Sequence, residues 1–309
     1  MDTSYRPELI TTARDMEELK QLANIGADAL TVGHQHYGLR VAGDFSLFDI
    51  KEAVQFLHAS NKKLYVLTNA IFHNERLETL PAYLQELDKL QVDGIICGDP
   101  SIFPILNEMD LNLSIHWNPE TLSTNYETLN YWHSKGISRA VLSNELSIEA
   151  IKEIKNKLSI PVEIQVHGMT CIFQSKRKLV SNYYNYIGDS SGVDGKQLHL
   201  KQFKEADSHY PIFEDCNGTH IMSNEDLCMM EFLQDIFLAE IDCVRINGMY
   251  KSRDYQEKIV SLYRTAIDTW ISDQDKFNQL TETWKHQIIQ IQPDERKLDT
   301  GFYYKEQIY

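Results

Sequence analysis

Cysteine is scarce in this chain and badly placed for pairing. The five cysteines, Cys97, Cys171, Cys216, Cys228 and Cys243, are odd in number and far apart. That excludes a disulfide framework, and a cytoplasmic location is the expectation. No two of them form a close-set pair, so metal ligands are not expected from this chain, Cys171 and Cys228 being the weak candidates. Basic charge is also short. Lys plus Arg number 30 against 45 Asp plus Glu, a net charge of −15. Bulk attraction to nucleic acid is therefore excluded, because duplex binding depends on neutralising phosphates. No apolar run approaches the ~20 residues that cross a bilayer, and no membrane partner is expected. The opening residues Met1 to Arg6 have no apolar core, so no secretory leader is expected there. Internal repeats, low-complexity segments and a Gly-x-Gly-x-x-Gly run after the first strand are lacking too, the last arguing against a dinucleotide-binding sheet.

What is present is an ordinary globular composition, 42% hydrophobic and 24% charged, which excludes a disordered chain. Eight short apolar runs read as strands: Glu8–Thr11, Ala29–Val32, Lys63–Thr68, Gly94–Cys97, Asn112–His116, Ala140–Ser143, Val162–His167 and Cys243–Asn247. Most are nearly continuous, as parallel strands covered on both faces should be. Amphipathic stretches lie between them at Met16–Ile25, Ile50–Ala59, Leu77–Leu90 and Ser147–Leu158, the last opening on Ser147 as half a capping box. Strand–helix alternation repeated eight times predicts an α/β fold, a (β/α)8 TIM-like barrel. The open doubly wound sheet is the alternative. Roughly eighty residues separate the last two strands, far beyond an ordinary connection of ~2–6 residues. The organisation expected is barrel strands one to seven over 1–167, an insertion over 168–241 that turns helical near Asp226–Ala239, and over 242–309 the last strand, helices at Arg253–Asp275 and Phe277–Ile291, and a tail.

A barrel places its reacting groups at the carboxyl ends of its strands. Those ends carry Tyr37, Arg40, Asn69, Asp99, His116, Glu145, His167 and Cys171. His167 ends a strand just before Gly168 and invites two readings, a reacting group or a hydrogen-bonded core histidine. With Cys171 it offers a nucleophile and base for a Cys/His peptidase, against the plain reading of Cys171 as a small buried hydrophobe. Lys176-Arg177-Lys178 is the densest basic run, with Lys196, His199, Lys201 and Lys204 following in the same insertion. Against a net charge of −15, such a local reversal of sign suits a phosphate backbone, the alternative being a solvated loop.

The stretch Glu163-Ile-Gln-Val-His167-Gly168-Met-Thr-Cys171 resembles the signature of the collagenase-like peptidases, the unassigned peptidase family thirty-two. Gly26-Ala27-Asp28-Ala29, Tyr37-Gly38-Leu39-Arg40, Asp99-Pro100, Glu145-Leu146, Gly218-Thr219, Asp226-Leu227-Cys228, Tyr263-Arg264 and Gly301-Phe302 resemble further family blocks across nearly the whole chain. The resemblance implies a subunit of a prephenate-dependent system that makes 5-hydroxyuridine at the tRNA wobble position. It implies a longer paralogous partner subunit, tRNA, and a small anionic substrate such as prephenate. Catalytic roles would fall to His167, Cys171, Glu145, Asn69 and Asp99, and substrate binding to Tyr37, Arg40, His116, Lys176, Arg177 and Lys178. A peptidase, or a non-catalytic RNA-docking or stabilising subunit, is the alternative. Family members carry an iron–sulfur cluster on four cysteines. Here Lys178 stands at the second of them, and Ser190–Leu198, the region of the third, holds none. No cofactor is therefore expected on this chain, and a cluster would sit in the partner.

Overall fold

The computed structural model describes residues 5–188, 198–203 and 205–305. Lys196 and Lys204 lie outside the described residues. Along the chain run β1 (Glu8–Thr12), α1 (Met16–Ile25), β2 (Ala29–Gly33), α2 (Leu47–Ala59), β3 (Lys63–Leu67), α3 (Asn74–Leu77), α4 (Leu80–Lys89), β4 (Gly94–Cys97), α5 (Ile102–Met109), β5 (Ile115–Trp117), α6 (Tyr126–His133), β6 (Ile137–Val141), α7 (Ile148–Lys157) and β7 (Val162–Gly168). The inserted segment supplies β8 (Cys171–Ser175), α8 (Leu179–Ile187), β9 (Leu198–Gln202), β10 (Glu205–Asp215), β11 (Gly218–Met222), β12 (Asp226–Cys228) and α9 (Leu233–Leu238). Then come β13 (Cys243–Asn247), α10 (Arg253–Ser272), α11 (Gln274–Ile291) and β14 (Leu298–Asp299).

Strands β1 to β7 pair in sequence order, and β13 pairs in parallel with both β1 and β7. Eight parallel strands thus close into the expected TIM-like barrel. One core lies between the strands' outer faces and the helices, with Leu30, Leu64, Ile95, Val162 and Val244 meeting Leu22, Leu57, Leu84, Ile151 and Ile259. The barrel's own interior is filled too, partly by Ile10, Tyr65, Leu67 and Ile96, as an eight-stranded barrel requires.

Several boundaries depart from the sequence reading, each for a local reason. The helix expected over Leu77–Leu90 starts at Leu80 as α4, after the short α3 ends at Leu77, because a continuous helix would bring the Pro81 ring against the carbonyl four residues back, at Leu77, and Pro81 is accommodated in the first turn of α4. Helix α2 begins three residues early, where Ser46 and Asp49 complete a capping box. Strand β6 begins at Ile137 rather than Ala140, since Arg139 faces inward as part of the strand. The predicted helical start at Asp226 is a strand, and α9 follows only at Leu233. Asp273 both ends α10 and caps α11.

The inserted segment folds as a separate antiparallel sheet in the order β8-β11-β10-β9. Glu214 accepts from the backbone N–H groups of Val180 and Ser181, so α8 has a carboxylate at its first turn. The sheet lies across the barrel mouth and docks on the far side, where Arg76 donates to Asn217 and to the Cys216 carbonyl. Asn217 in turn donates to the Gln35 and Gly38 carbonyls. Among the described residues, no helix is long and apolar enough to cross a membrane.

Candidate active site

Under the inserted sheet the carboxyl ends of the strands enclose a cavity of about 90 Å³. Arg40, Asn69, Glu145 and Cys171 of the expected residues line it, with Thr12, Thr31, Asn118, Glu120, Gln165, Arg245 and Asn247. Pockets that enclose a whole drug-sized ligand run to ~300–1,000 Å³. At about 90 Å³ this one is well below that range.

Arg40 and Glu120 form an ion pair over the cavity, and Arg40 also donates to Gln174 Oε1 at 3.0 Å. Both partners hold left-handed backbone, with φ of 51° and 58°. Each such non-glycine residue costs about 1 kcal/mol, a cost that tends to gather at functional sites. Asn69 Oδ1 accepts from the Leu39 N–H and so fixes the loop that presents Arg40. Burial pushes the Cys171 thiol up, against the opposing pull of Arg40. Cys171 is a protonated thiol at neutral pH, and its Sγ donates to the Phe173 carbonyl at 3.3 Å.

Below the mouth a charged column runs through the barrel. Arg245 Nε lies 3.2 Å from Glu163 Oε1, and Arg139 bridges Glu163 Oε2 at 3.2 Å to Glu8 Oε2 at 2.7 Å. Tyr65 donates to Glu8, and Lys63 pairs with it. Glu8 is held below the usual carboxylate range: burial alone would raise it, but Arg139 and Lys63 more than offset that.

His167 sits elsewhere. Between Gln165 and His167, β7 carries one extra residue relative to β13, so that Arg245 faces Gln165 but Ile246 faces His167. This bulge turns His167 into the outer core with Ile246. There its Nε2 meets the Tyr255 hydroxyl at 2.7 Å and Nδ1 the Tyr263 hydroxyl at 3.5 Å, both from α10. Burial lowers its pKa to about 3, so it is neutral at pH 7. Among the described residues no hydrogen bond joins His167 to Cys171, and the structure does not bring the two together as a nucleophile and base. Gly168 next to it has φ of 96°, and a Cβ there would lie 2.0 Å from the Asn247 carbonyl oxygen, so only glycine fits.

Other expected residues also lie off the cavity. His116 is deep in the barrel against the Tyr65 ring, its Nδ1 unpartnered, and burial lowers its pKa well below the ordinary value. Asp99 accepts from the Phe72 and Ser101 N–H groups and organises its loop. Tyr37 stacks on Tyr83 at 3.9 Å, outside the mouth. Lys176, Arg177 and Lys178 are exposed at the turn between β8 and α8. Beside them Phe173, Tyr183 and Tyr186 are exposed as well.

Cavity residues that the sequence reading passed over include Thr12, Thr31, Asn118, Glu120, Gln165 and Arg245. For Thr31, Gln165 and Arg245 the signal was a polar residue flanked on both sides by apolar ones within a strand, at the alternate positions that face a barrel's interior. A four-cysteine cluster does not fit the thiols present. Cys171 faces the mouth, Cys228 is buried in the outer core, Cys97 and Cys243 lie within barrel strands, and Cys216 is exposed against the Gln35 carbonyl. Among the described residues no group of three or more His, Cys, Asp or Glu side chains is placed to hold a metal ion.

The chain is 43% identical to tRNA hydroxylation protein P2 of Bacillus subtilis, over 98% of this chain and 99% of that one. It is 31% identical to tRNA hydroxylation protein P1 of the same organism, over 98% of this chain and 74% of that one. Among solved structures, the U32 peptidase Mk0906 shares the fold, with a TM-score of 0.51 at 12% identity over 80% of this chain and 94% of that one. The profile of Peptidase family U32 matches residues 14–308, and the chain belongs to that family.

Proposed function

We propose that this chain acts in the hydroxylation of tRNA. The observation that carries the reading is the near end-to-end similarity to tRNA hydroxylation protein P2 of Bacillus subtilis. In finer detail, the product is 5-hydroxyuridine at the wobble position and prephenate is the small anionic co-substrate. A longer paralogue resembling the P1 relative is the partner, in the cytoplasm, and any iron–sulfur cluster belongs to that partner. Two structural features support this. The exposed Lys176, Arg177 and Lys178 beside exposed aromatic rings suit an unpaired anticodon loop, whose phosphates seek cations and whose bases stack on flat side chains. The mouth beyond them is narrow, polar and arginine-bearing, which suits one end of a carboxylate. A Cys/His peptidase has no comparable support, because His167 and Cys171 lie on opposite sides of the barrel wall.

The test is genetic. Digested tRNA from a strain lacking this gene should contain no 5-hydroxyuridine by mass spectrometry, and re-expression should restore it. Undiminished 5-hydroxyuridine in the deletion strain would remove the proposal.

A further inference from the structure

We infer that Arg245 is the specificity-determining residue of the mouth cavity, and that it takes a single carboxylate of a small molecule through its two terminal nitrogens. The inference rests on the proposed function in one respect, that a small anionic compound enters this mouth.

Three arginines lie along the path from rim to barrel base, and in two of them both terminal nitrogens are engaged. Arg40 binds Glu120 and Gln174. Arg139 donates to Glu163, Glu8 and Tyr65. Arg245 differs. Its Nε lies 3.2 Å from Glu163 but without hydrogen-bond geometry, and among the described residues no acceptor is hydrogen-bonded to its guanidinium. Its side chain is 17% exposed and lines the cavity. A guanidinium cannot shed its charge to relieve that deficit. Its planar fork matches the two oxygens of a carboxylate.

The surroundings fit the same ligand. Glu163, gripped by Arg139 from the other side, holds the Arg245 stem in place. Thr31 is buried, lines the same cavity, and its hydroxyl has no partner. A cavity of about 90 Å³ admits a carboxylate-sized group and leaves the rest of the molecule at the rim, among Arg40, Asn69 and Asn118.

Calorimetry on the full chain without tRNA tests this, with prephenate as the probe and inorganic phosphate as competitor. Wild type should bind prephenate, and phosphate should not displace it. Arg245→Lys keeps the charge but loses the fork, and should raise Kd by roughly tenfold or more. Thr31→Val conserves volume and should raise it by about threefold. Equal binding by wild type and Arg245→Lys would overturn the inference, as would no prephenate binding by wild type or displacement by equimolar phosphate. Should Arg245→Lys fail to fold, unchanged binding by Thr31→Val decides against it. The tRNA role is read separately, from the 5-hydroxyuridine content of the deletion strain.

Discussion

At the scale of single residues, the instructive case is His167. Its sequence context, a histidine ending an apolar strand before a glycine, is the context of a reacting group and of a core residue alike. One extra residue in β7 turns the ring outward to Tyr255 and Tyr263, and a bulge of that kind leaves no mark in the sequence. Arg245 is the converse. Its neighbours Cys243, Val244 and Ile246 are buried, so its polarity was visible and its inward direction followed from strand alternation. The environment of His167 carries a pH prediction. Its pKa falls from the ordinary 6.5 to about 3 on folding, so below pH 6.5 the unfolded chain binds the proton more tightly than the folded one. Stability is full above that point and falls as pH drops toward 3. Asp226, lowered from 3.8 to about 2 because Lys251 and Arg296 offset its burial, adds a further loss only below pH 3.8. Urea melts of wild type should therefore weaken between pH 6.5 and 4, and His167→Gln should flatten that limb. An unchanged slope in the variant would mean that other groups cause the loss.

At the scale of elements, the barrel strands and most of their helices were legible because each is long enough to show its period. Helices α5 and α6 were not read, being only eight residues each. The strands of the inserted sheet were not read either. Ile172, Phe173, Leu200 and Phe203 are exposed there, so alternation between a buried and a wet face is blurred. Among the described residues that sheet meets the barrel at its root on β7, at its dock at Asn217, through Gln174 to Arg40, and where Met222 and Phe213 pack on Met249 and Tyr250. Arg76 is 4% exposed and makes the dock through two hydrogen bonds. Arg76→Ala should free the far end of the sheet while the barrel stays folded. Limited proteolysis should then cut within 171–222 at least several-fold faster, with the thermal midpoint of the barrel shifted by no more than about 2–4 °C per kcal/mol lost. A cleavage rate equal to wild type would show that the dock contributes nothing to holding the sheet down.

At the scale of the whole molecule, closure of the barrel by β13 sets which residues share the mouth, and the sequence separates them by more than two hundred positions, from Thr12 to Asn247. No local pattern announces such a set; the (β/α)8 rhythm announces it only by implying closure. The scattered thiols lead to a prediction at this scale. On the proposed pairing, protein purified alone should be colourless and contain no stoichiometric iron, whereas a complex with the longer paralogue proposed as its partner should carry the visible absorption of a cluster. Iron at several atoms per chain in the isolated protein would contradict that division of labour.

The sheet that spans from β7 to the loops after β2 and β3 also packs on the segment after β13, where Met249 meets Met169 and Met222, and Tyr250 meets Phe213. Half of the rim is roofed in this way. Among the described residues, the unroofed arc is the one after β5 and β6, where Asn118, Glu120, Asn144 and Glu145 border the cavity and Leu122 projects into solvent. Among the described residues that flank is the open approach to the cavity, and on the proposed function a nucleotide would arrive edge-on from it rather than descend along the barrel axis.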